Sequence, residues 1–537
     1  MKKNIRIVTM FVLATLFFAS SCSEDFLDKQ PHNALSPGTF WSTTADAEAG
    51  LTAIYDALNV GRGQFGWGMM GLFDLLTPVG HCRSGSINAI AAGNHDPNGG
   101  QTRSLWENSY RGVVRANDLL VHIDQIEVSE TDAALIEQYK AEAKFLRAMF
   151  YFHLADMFGD VPLFTTVPTV EDAFAEKSTK AEVLNLVKSD LDAAIAVLPE
   201  TASVAGRATK GAALGMRAKV AMMEKDWSTA QSNLNQIMTL GYELETDYAE
   251  IFDVDNEGNG EVIFDIQYIF ANDAESGNTF EKLFGNRSAE ASGWSWVQPG
   301  LWFVEKFEHI DENPEYTIED DRISAEIYDY FEGRDPRMDA TILRPGAHFL
   351  DYRNISILHP YEMRNLNHSQ TKLQMRKYVI DGDYDRTLSN DSPLNWIVLR
   401  YADILLMKAE VEAQLAGGAG AVSQDVLDAT INKVRQRASD KLPLYTAGNI
   451  TMENIQDEYV RELGFEGWMY FNYKRWQLLE MNDGFEVRGL TVNNSGVSFN
   501  ASPIQTRVFE SPKHYFFPIP TSEMERAENL TQNPVWE

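Results

Sequence analysis

The sequence predicts a mostly α-helical protein, a body of paired helices overlaid by long irregular loops with a few short strands. Three observations predict it. Apolar residues recur at helical spacing through 46–239 and again through 396–480. Gly and Pro interrupt those runs at short intervals, giving helix, turn, helix. Residues 260–395 change character, with Gly, Asn and Asp clusters separating short aromatic or β-branched runs, and 483–537 is irregular again.

The first element is not part of the body. Lys2, Lys3 and Arg6 precede an apolar run, Ile7 to Ala19, interrupted only by Thr9 and Thr15. That run is well short of the ~20 residues a spanning helix needs, and its charge order is that of an export signal. Small residues, Ala19, Ser20 and Ser21, lead directly into Cys22, the layout of a bacterial lipoprotein signal. Cleavage before Cys22 leaves its thiol and amine for acyl chains, and several buried chains anchor stably where one is marginal. Residues 1–21 are therefore read as the signal and 22–40, polar and bearing Pro31 and Pro37, as a tether.

The compartment and charge follow. With Cys22 lipidated, Cys82 has no intrachain partner, so no internal disulfide forms. The chain carries 46 basic and 78 acidic residues, a net charge of −32. Losing residues 1–21 removes three cations and no acid, which deepens it to −35. Such a surface repels phosphate backbones, which makes nucleic acid a poor candidate for a partner.

The body begins at 41, with an N-terminal helical region to 245 and a second region over 260–537 whose 260–395 part is loop-rich. In 46–58, Leu51, Ile54, Tyr55 and Leu58 form one stripe. Stretches 104–126 and 132–158 form a helix pair. In the latter, Phe145, Ala148, Met149 and Phe152 make one stripe and Leu146, Phe150, Leu154 and Met157 another, so the helix is packed between neighbours. Helices follow over 179–198, 208–225 and 227–239. The segment "DWSTAQSNLNQIMTLGYEL" resembles the second half of a tetratricopeptide unit, whose helices bury their faces only by stacking. Two further pairs are expected, 396–416 with 424–438 and 451–463 with 465–480. In the loop-rich part, "EVIFDIQYIF" and "MRKYVI" read as short strands.

Reactive chemistry is sparse. "DGDYD" at 381–385 opens like a calcium loop but has Arg386 at the glycine place, and "DVDNEGNGE" from Asp253 has Phe264 at its twelfth place, so both read as turns. "GRGQFGWG" at 61–68 lacks a phosphate-binding ending and reads as a flexible loop. His81 and Cys82 have no partners at metal spacing. Arg400 and Asp403, inside an apolar helix, read as a buried pair holding helices together. No metal or cofactor is expected.

The tryptophans stand out. Trp67, Trp294 and Trp296 sit among Gly, Ser and Asn, where no apolar pattern buries them, whereas Trp302 lies in a helical run and reads as core. An exposed indole offers a flat face to the C–H patch of a pyranose, and nearby amides and guanidinium groups bond its hydroxyls. The alternative is that the rings plug seams between loops and frame, and it suits Trp67 better than the other two.

Six motifs in one order, "EAKFLRAMFYFHLADMFGDVPLF", "TKGAALGMRAKVAM", "VLRYADILLMKAEVEA", "INKVRQRA", "RELGFEGWMYFNYKRW" and "FPIPTSEMERAENLTQNPVW", stand behind the lipoprotein signal. Together they resemble the SusD/RagB family of nutrient-binding outer-membrane lipoproteins, over essentially the whole mature chain. The acidic "SED" after Cys22 also resembles the surface-export tag of such lipoproteins. The chain departs from the family pattern at Trp468, Met469, Asn472, Val535 and Trp536.

The resemblance implies a helical body of tetratricopeptide-like pairs, a non-enzymatic role in capturing an oligosaccharide or sometimes a peptide, and a SusC-like TonB-dependent transporter as partner. Ligand contacts do not transfer motif by motif. The candidate ligand-binding residues are therefore loop aromatics and neighbouring polar groups: Trp67, Asp74, Arg83, Trp294, Trp296 and Gln298. A helical glycosidase would need two carboxylates across a cleft, and nothing specific in the sequence points to one. A plain repeat scaffold accounts for the helices but not for the expanded loops. If Cys22 carries the anchor, cells fed labelled palmitate will label the wild-type protein, and Cys22→Ala will abolish the label and release the body from the membrane fraction.

Overall fold

Helix starts are written into the sequence as capping boxes. In the computed structural model, Thr43 and Asp46 bond each other's backbone N–H at the start of α1 (Thr44–Asp56). Thr179 and Glu182 do the same for a later helix over Lys180–Val197, and Thr451 and Asn454 for one over Met452–Leu463. Each such cap is worth about 1 kcal/mol and fixes where the chain enters the helix. The structure describes residues 40–537 apart from 61–62, 170, 272–276, 286–292, 351–353, 363–368, 381 and 383–390. Cys22, the signal, the tether up to residue 39 and most of the 381–385 run lie outside the described residues.

The helices stack in chain order. After α1 come α2 (Gly100–His122), α3 (Glu130–Phe158), α4 (Lys180–Val197), α5 (Lys210–Met223) and α6 (Trp227–Ile237), each packed on the one before it. The next member, α7 (Tyr401–Leu415), packs on α6 although residues 238–400 intervene. Then follow α8 (Gln424–Ala429), α9 (Ile431–Ala438), α10 (Met452–Leu463) and α11 (Trp468–Arg475). The two apolar stripes of α3 have the expected consequence, since every residue from Phe145 to Phe158 is buried. Where α3 meets the next helix its charges are paired, Arg147 with both oxygens of Asp190 on α4 at 2.8 Å and Asp156 with Lys180 at 3.2 Å.

The chain leaves and rejoins this stack through one ladder. Strand β1 (Gly80–Cys82) lies early in the chain, and β2 (Val262–Ile266), β3 (Val297–Pro299) and β4 (Trp396–Arg400) follow. β2 pairs antiparallel with β4, with Val262 opposite Arg400 and Ile266 opposite Trp396, so the excursion 267–395 starts and ends side by side. β3 pairs antiparallel with β1. The other strand pairs are short, and the C-terminal region adds a hairpin, Leu490–Asn493 with Gly496–Phe499.

A buried ionic network joins the excursion to the stack. Arg400 reaches Glu261 (2.6 Å), Glu462 (2.5 Å) and Glu466 (2.7 Å). Arg337 reaches Asp335 (2.6 Å), Glu458 (2.8 Å) and Glu462 (2.8 Å). Lys377 closes on Glu466 at 2.5 Å, Arg435 and Arg461 on Glu458 at 2.8 and 2.7 Å, and Arg437 on Glu261 and Glu462. Burial alone would raise these carboxylates. The guanidinium groups win, holding Glu458 at about 2 and both Glu462 and Glu466 below the ordinary range.

Several expectations are corrected. Residues 396–400 form a strand rather than the first turn of a helix, because their backbone is needed to pair with β2. The expected helix 424–438 breaks at Thr430 into α8 and α9, and the expected 465–480 shrinks to α11. Of "MRKYVI", only Met375 belongs to a strand, paired with Ile342. Arg400 and Asp403 are both buried but serve different partners, since Asp403 pairs with Lys219 of α5 at 2.5 Å. The part of the 61–68 loop that is described, 63–68, is packed rather than open, with Phe65 and Trp67 buried. The run from Asp253 is a turn, as read, with a 3-10 segment over Val254–Asn256.

The carboxylates define a pH window. Glu458, Glu462 and Glu466 are depressed, so their contribution is present above 4.5 and is lost as pH falls toward about 2. Asp74 and Glu257 are raised to about 7 by burial, so their contribution is complete at low pH and is lost as pH rises through 7. Thermal melts should therefore peak near pH 4.5 and decline toward 7. Arg400→Met should cost about 3–5 kcal/mol in denaturant unfolding, because it strands buried carboxylates.

Candidate glycan-binding shelf

Two of the predicted tryptophans form one surface feature. The backbone of 294–296 is held from both sides. Trp294, Ser295 and Trp296 donate their N–H groups to the carbonyls of Lys282 (2.5 Å), Gly285 (3.1 Å) and Leu283 (2.8 Å), at the end of the short helix Phe280–Leu283. Helix ends carry carbonyls without intrahelical partners, and this segment satisfies three there. On the other side, Arg83 N–H donates to the Trp296 carbonyl at 3.0 Å, extending the β1–β3 ladder by one rung. Ser295 sits at φ +48°, a conformation that costs a non-glycine residue of order 1 kcal/mol, and its hydroxyl points inward to Gln374 at 3.0 Å. That inward turn puts both flanking indoles on the outer side.

The two rings lie 5.3 Å apart at 35°, each half-buried. Lys282 places its ammonium 5.0 Å from the Trp294 ring, and Arg83 Nη1 donates to the Trp294 carbonyl at 3.3 Å. The edge of the Trp296 ring presses on Gly63, where a Cβ would come within 2.4 Å of the indole. The result is a tilted pair of aromatic faces with cationic donors at the rim, in a chain of net charge −32. Sequence reasoning missed Lys282 and Gly63. The glycine in "GRGQ" was the available signal for close approach of a ring.

Three of the predicted residues do not belong to that surface. Trp67 is only 2% exposed and stacks on the His153 ring at 3.9 Å and 5°, so it fills the core and offers no face to a ligand. His153 is itself held neutral, its pKa lowered to about 3 by burial. Asp74 is fully buried, and its carboxylate accepts from the N–H groups of Gly467 (2.9 Å), Met469 (3.0 Å) and Tyr470 (3.4 Å), capping α11 from across the molecule. Gln298 is also fully buried. Its amide donates to the Ser295 carbonyl at 2.6 Å and accepts from Gln370 N–H at 2.9 Å, so it braces the shelf from beneath. Trp302, expected in the core, is half-buried at an edge, with Lys306 4.8 Å from its ring.

Reactive roles are not supported here. Burial pushes the Cys82 thiol up to about 12 and lowers His81, which pairs with Gln370 at 2.6 Å. Among the described residues no group of His, Cys, Asp and Glu could hold a metal ion. The contact of Gly63 with Trp296 is testable. Gly63→Ala combines a positive φ of 66° with a ring collision, so it should alter the tryptophan near-UV circular dichroism and lower stability by about 1–2 kcal/mol.

Comparison with known proteins agrees with this architecture. A family model described as "SusD family" matches residues 260–536, and a second, described as "Starch-binding associating with outer membrane", matches 25–222. The SusD-like protein P25 of Formosa agariphila is 28% identical, the match covering 97% of each chain. The starch-binding protein SusD of Bacteroides thetaiotaomicron is 25% identical over 76% of this chain and 75% of its own. The crystal structure of a SusD-like carbohydrate-binding protein from Bacteroides fragilis superposes with a TM-score of 0.77 at 28% identity, covering 92% of this chain and all of that one. A helical stack carrying a long loop excursion, matched along both halves by these models, belongs to the SusD family.

Proposed function

We propose that this protein is a glycan-binding lipoprotein of the outer membrane, anchored through Cys22, facing outward, and passing its ligand to a SusC-like TonB-dependent transporter. The observation that carries the reading is the Trp294–Trp296 pair, two tilted indoles 5.3 Å apart with Lys282 and Arg83 at their rim. Such faces stack on the C–H surface of pyranose rings, and the cationic groups donate to ring and hydroxyl oxygens. The starch-binding relative and the carbohydrate-binding structural neighbour support sugar as the ligand class. No described helix is long and apolar enough to cross a membrane, and the reading gives membrane attachment to the lipid on Cys22. The role is capture and hand-over, with no bond broken.

The shelf predicts a simple assay. In affinity electrophoresis through gels holding a panel of soluble polysaccharides, the body from residue 23 onward should be retarded by at least one glycan. Trp294→Ala and Trp296→Ala should each weaken that retention roughly tenfold. Retention kept in both variants would move the site elsewhere. No retention by any glycan, with a peptide captured instead, would overturn the sugar reading.

A further inference from the structure

A cavity of about 480 Å³ is lined by none of the shelf residues. It lies where the C-terminal part of α3, the start of α4, the end of α5, α7, α11 and residues 511–516 meet. Its volume falls in the range of sites for small organic ligands. The apolar part of its lining includes Met222, Met223, Met407, Phe471 and Phe516.

The polar corner holds two ammonium groups for one carboxylate, and Lys474 also donates to the Asp156 main-chain carbonyl. Asp156 is the carboxylate there, and it faces two ammonium groups, Lys180 at 3.2 Å and Lys474 at 3.3 Å. Both ammonium groups also approach the Phe516 ring, at 5.8 and 5.0 Å. Burial, helped by the positive charge of Lys180, brings Lys474 down to about 8 even with Asp156 beside it. Asn472, 5% exposed, accepts from Arg475 Nε at 3.0 Å through Oδ1, while its Nδ2 meets no acceptor in the protein. A buried donor left unpaired costs about 1–3 kcal/mol.

The remaining charges of the lining are committed or peripheral. Lys219 is spent on Asp403, with its ammonium 3.7 Å over the Trp468 ring, and Arg475 is spent on Glu410. Lys225 is exposed, and Glu480 accepts from the Tyr515 hydroxyl at 3.5 Å. The corner thus asks for one anionic group, and the walls ask for an apolar body.

We propose that this cavity binds a small aromatic carboxylate, with the carboxylate received by Lys180, Lys474 and the Asn472 amide and the ring packed against Phe516 and the methionines. It is a site separate from the tryptophan shelf and does not depend on the glycan reading.

The test is equilibrium dialysis of the body from residue 23 onward against labelled benzoate, with benzamide as the neutral isostere. One benzoate should bind per chain, and benzamide should compete roughly tenfold less well. Asn472→Asp, which sets a carboxylate in the anion corner, and Lys180→Gln should each weaken benzoate roughly tenfold. Trp294→Ala with Trp296→Ala should leave benzoate binding unchanged, which separates this site from the shelf. Lys180 is a third exposed, so Lys180→Gln keeps the test decisive if Asn472→Asp disturbs folding. Equal binding of benzamide, benzoate binding that survives Lys180→Gln, or no benzoate bound at millimolar concentration would each overturn the proposal.

Discussion

Six cations and six carboxylates at the foot of the loop excursion set the position of everything outside the helical stack. Arg337, Lys377, Arg400, Arg435, Arg437 and Arg461 interleave with Glu261, Glu308, Asp335, Glu458, Glu462 and Glu466, and of these twelve only Glu308 is substantially exposed. Taking such charges out of water is costly, and their mutual attraction offsets the cost only when each group meets its partners at close range. A displaced excursion would leave several of them alone in a dry interior. The network therefore acts less as a source of net stability than as a register: one arrangement satisfies it, and neighbouring arrangements are penalised.

That register explains why the shelf can be rigid although it is built on irregular chain. Its backbone ties run to a helix end and to β1, while Gln298 and Gln374 hold it from below. The left-handed Ser295 is sustained by those ties, since nothing local favours it. A pre-set pair of rings loses little freedom when a ligand arrives, and most of the stacking energy is then available for binding.

The helical stack was readable because burial on two sides leaves a period in the sequence, as α3 shows from Phe145 to Phe158. The ionic network was not, since charges paired across 66 and 139 positions, as Arg400 is with Glu466 and Glu261, leave no local pattern. The apolar "WIVLR" fits a helix and a buried strand equally, and only its distant partner β2 decides for the strand. Glycine context misled at Trp67. Around it, a Cβ on Gly66 or Gly68 would run into Val60 or Tyr268, so these glycines mark tight packing rather than an open loop. Asp74 and Gln298 looked like ligand-binding groups because sequence shows a polar side chain but hides which backbone groups it must satisfy. Of the predicted site, Arg83, Trp294 and Trp296 come together, and those are the predicted residues that stay half-buried rather than fully buried.

The β2–β4 ladder has a consequence for how such a chain can diversify. Because residues 267–395 depart and return at adjacent points, the excursion behaves as an interchangeable cartridge seated in a fixed socket. Doubling the length of a flexible closed segment costs only about 0.6 kcal/mol in closure entropy. Its interior can therefore be rewritten for a different cargo while α6 and α7 stay in contact beneath it. The entry fee for novelty is keeping the socket's charges matched, and recognition is free to drift above them.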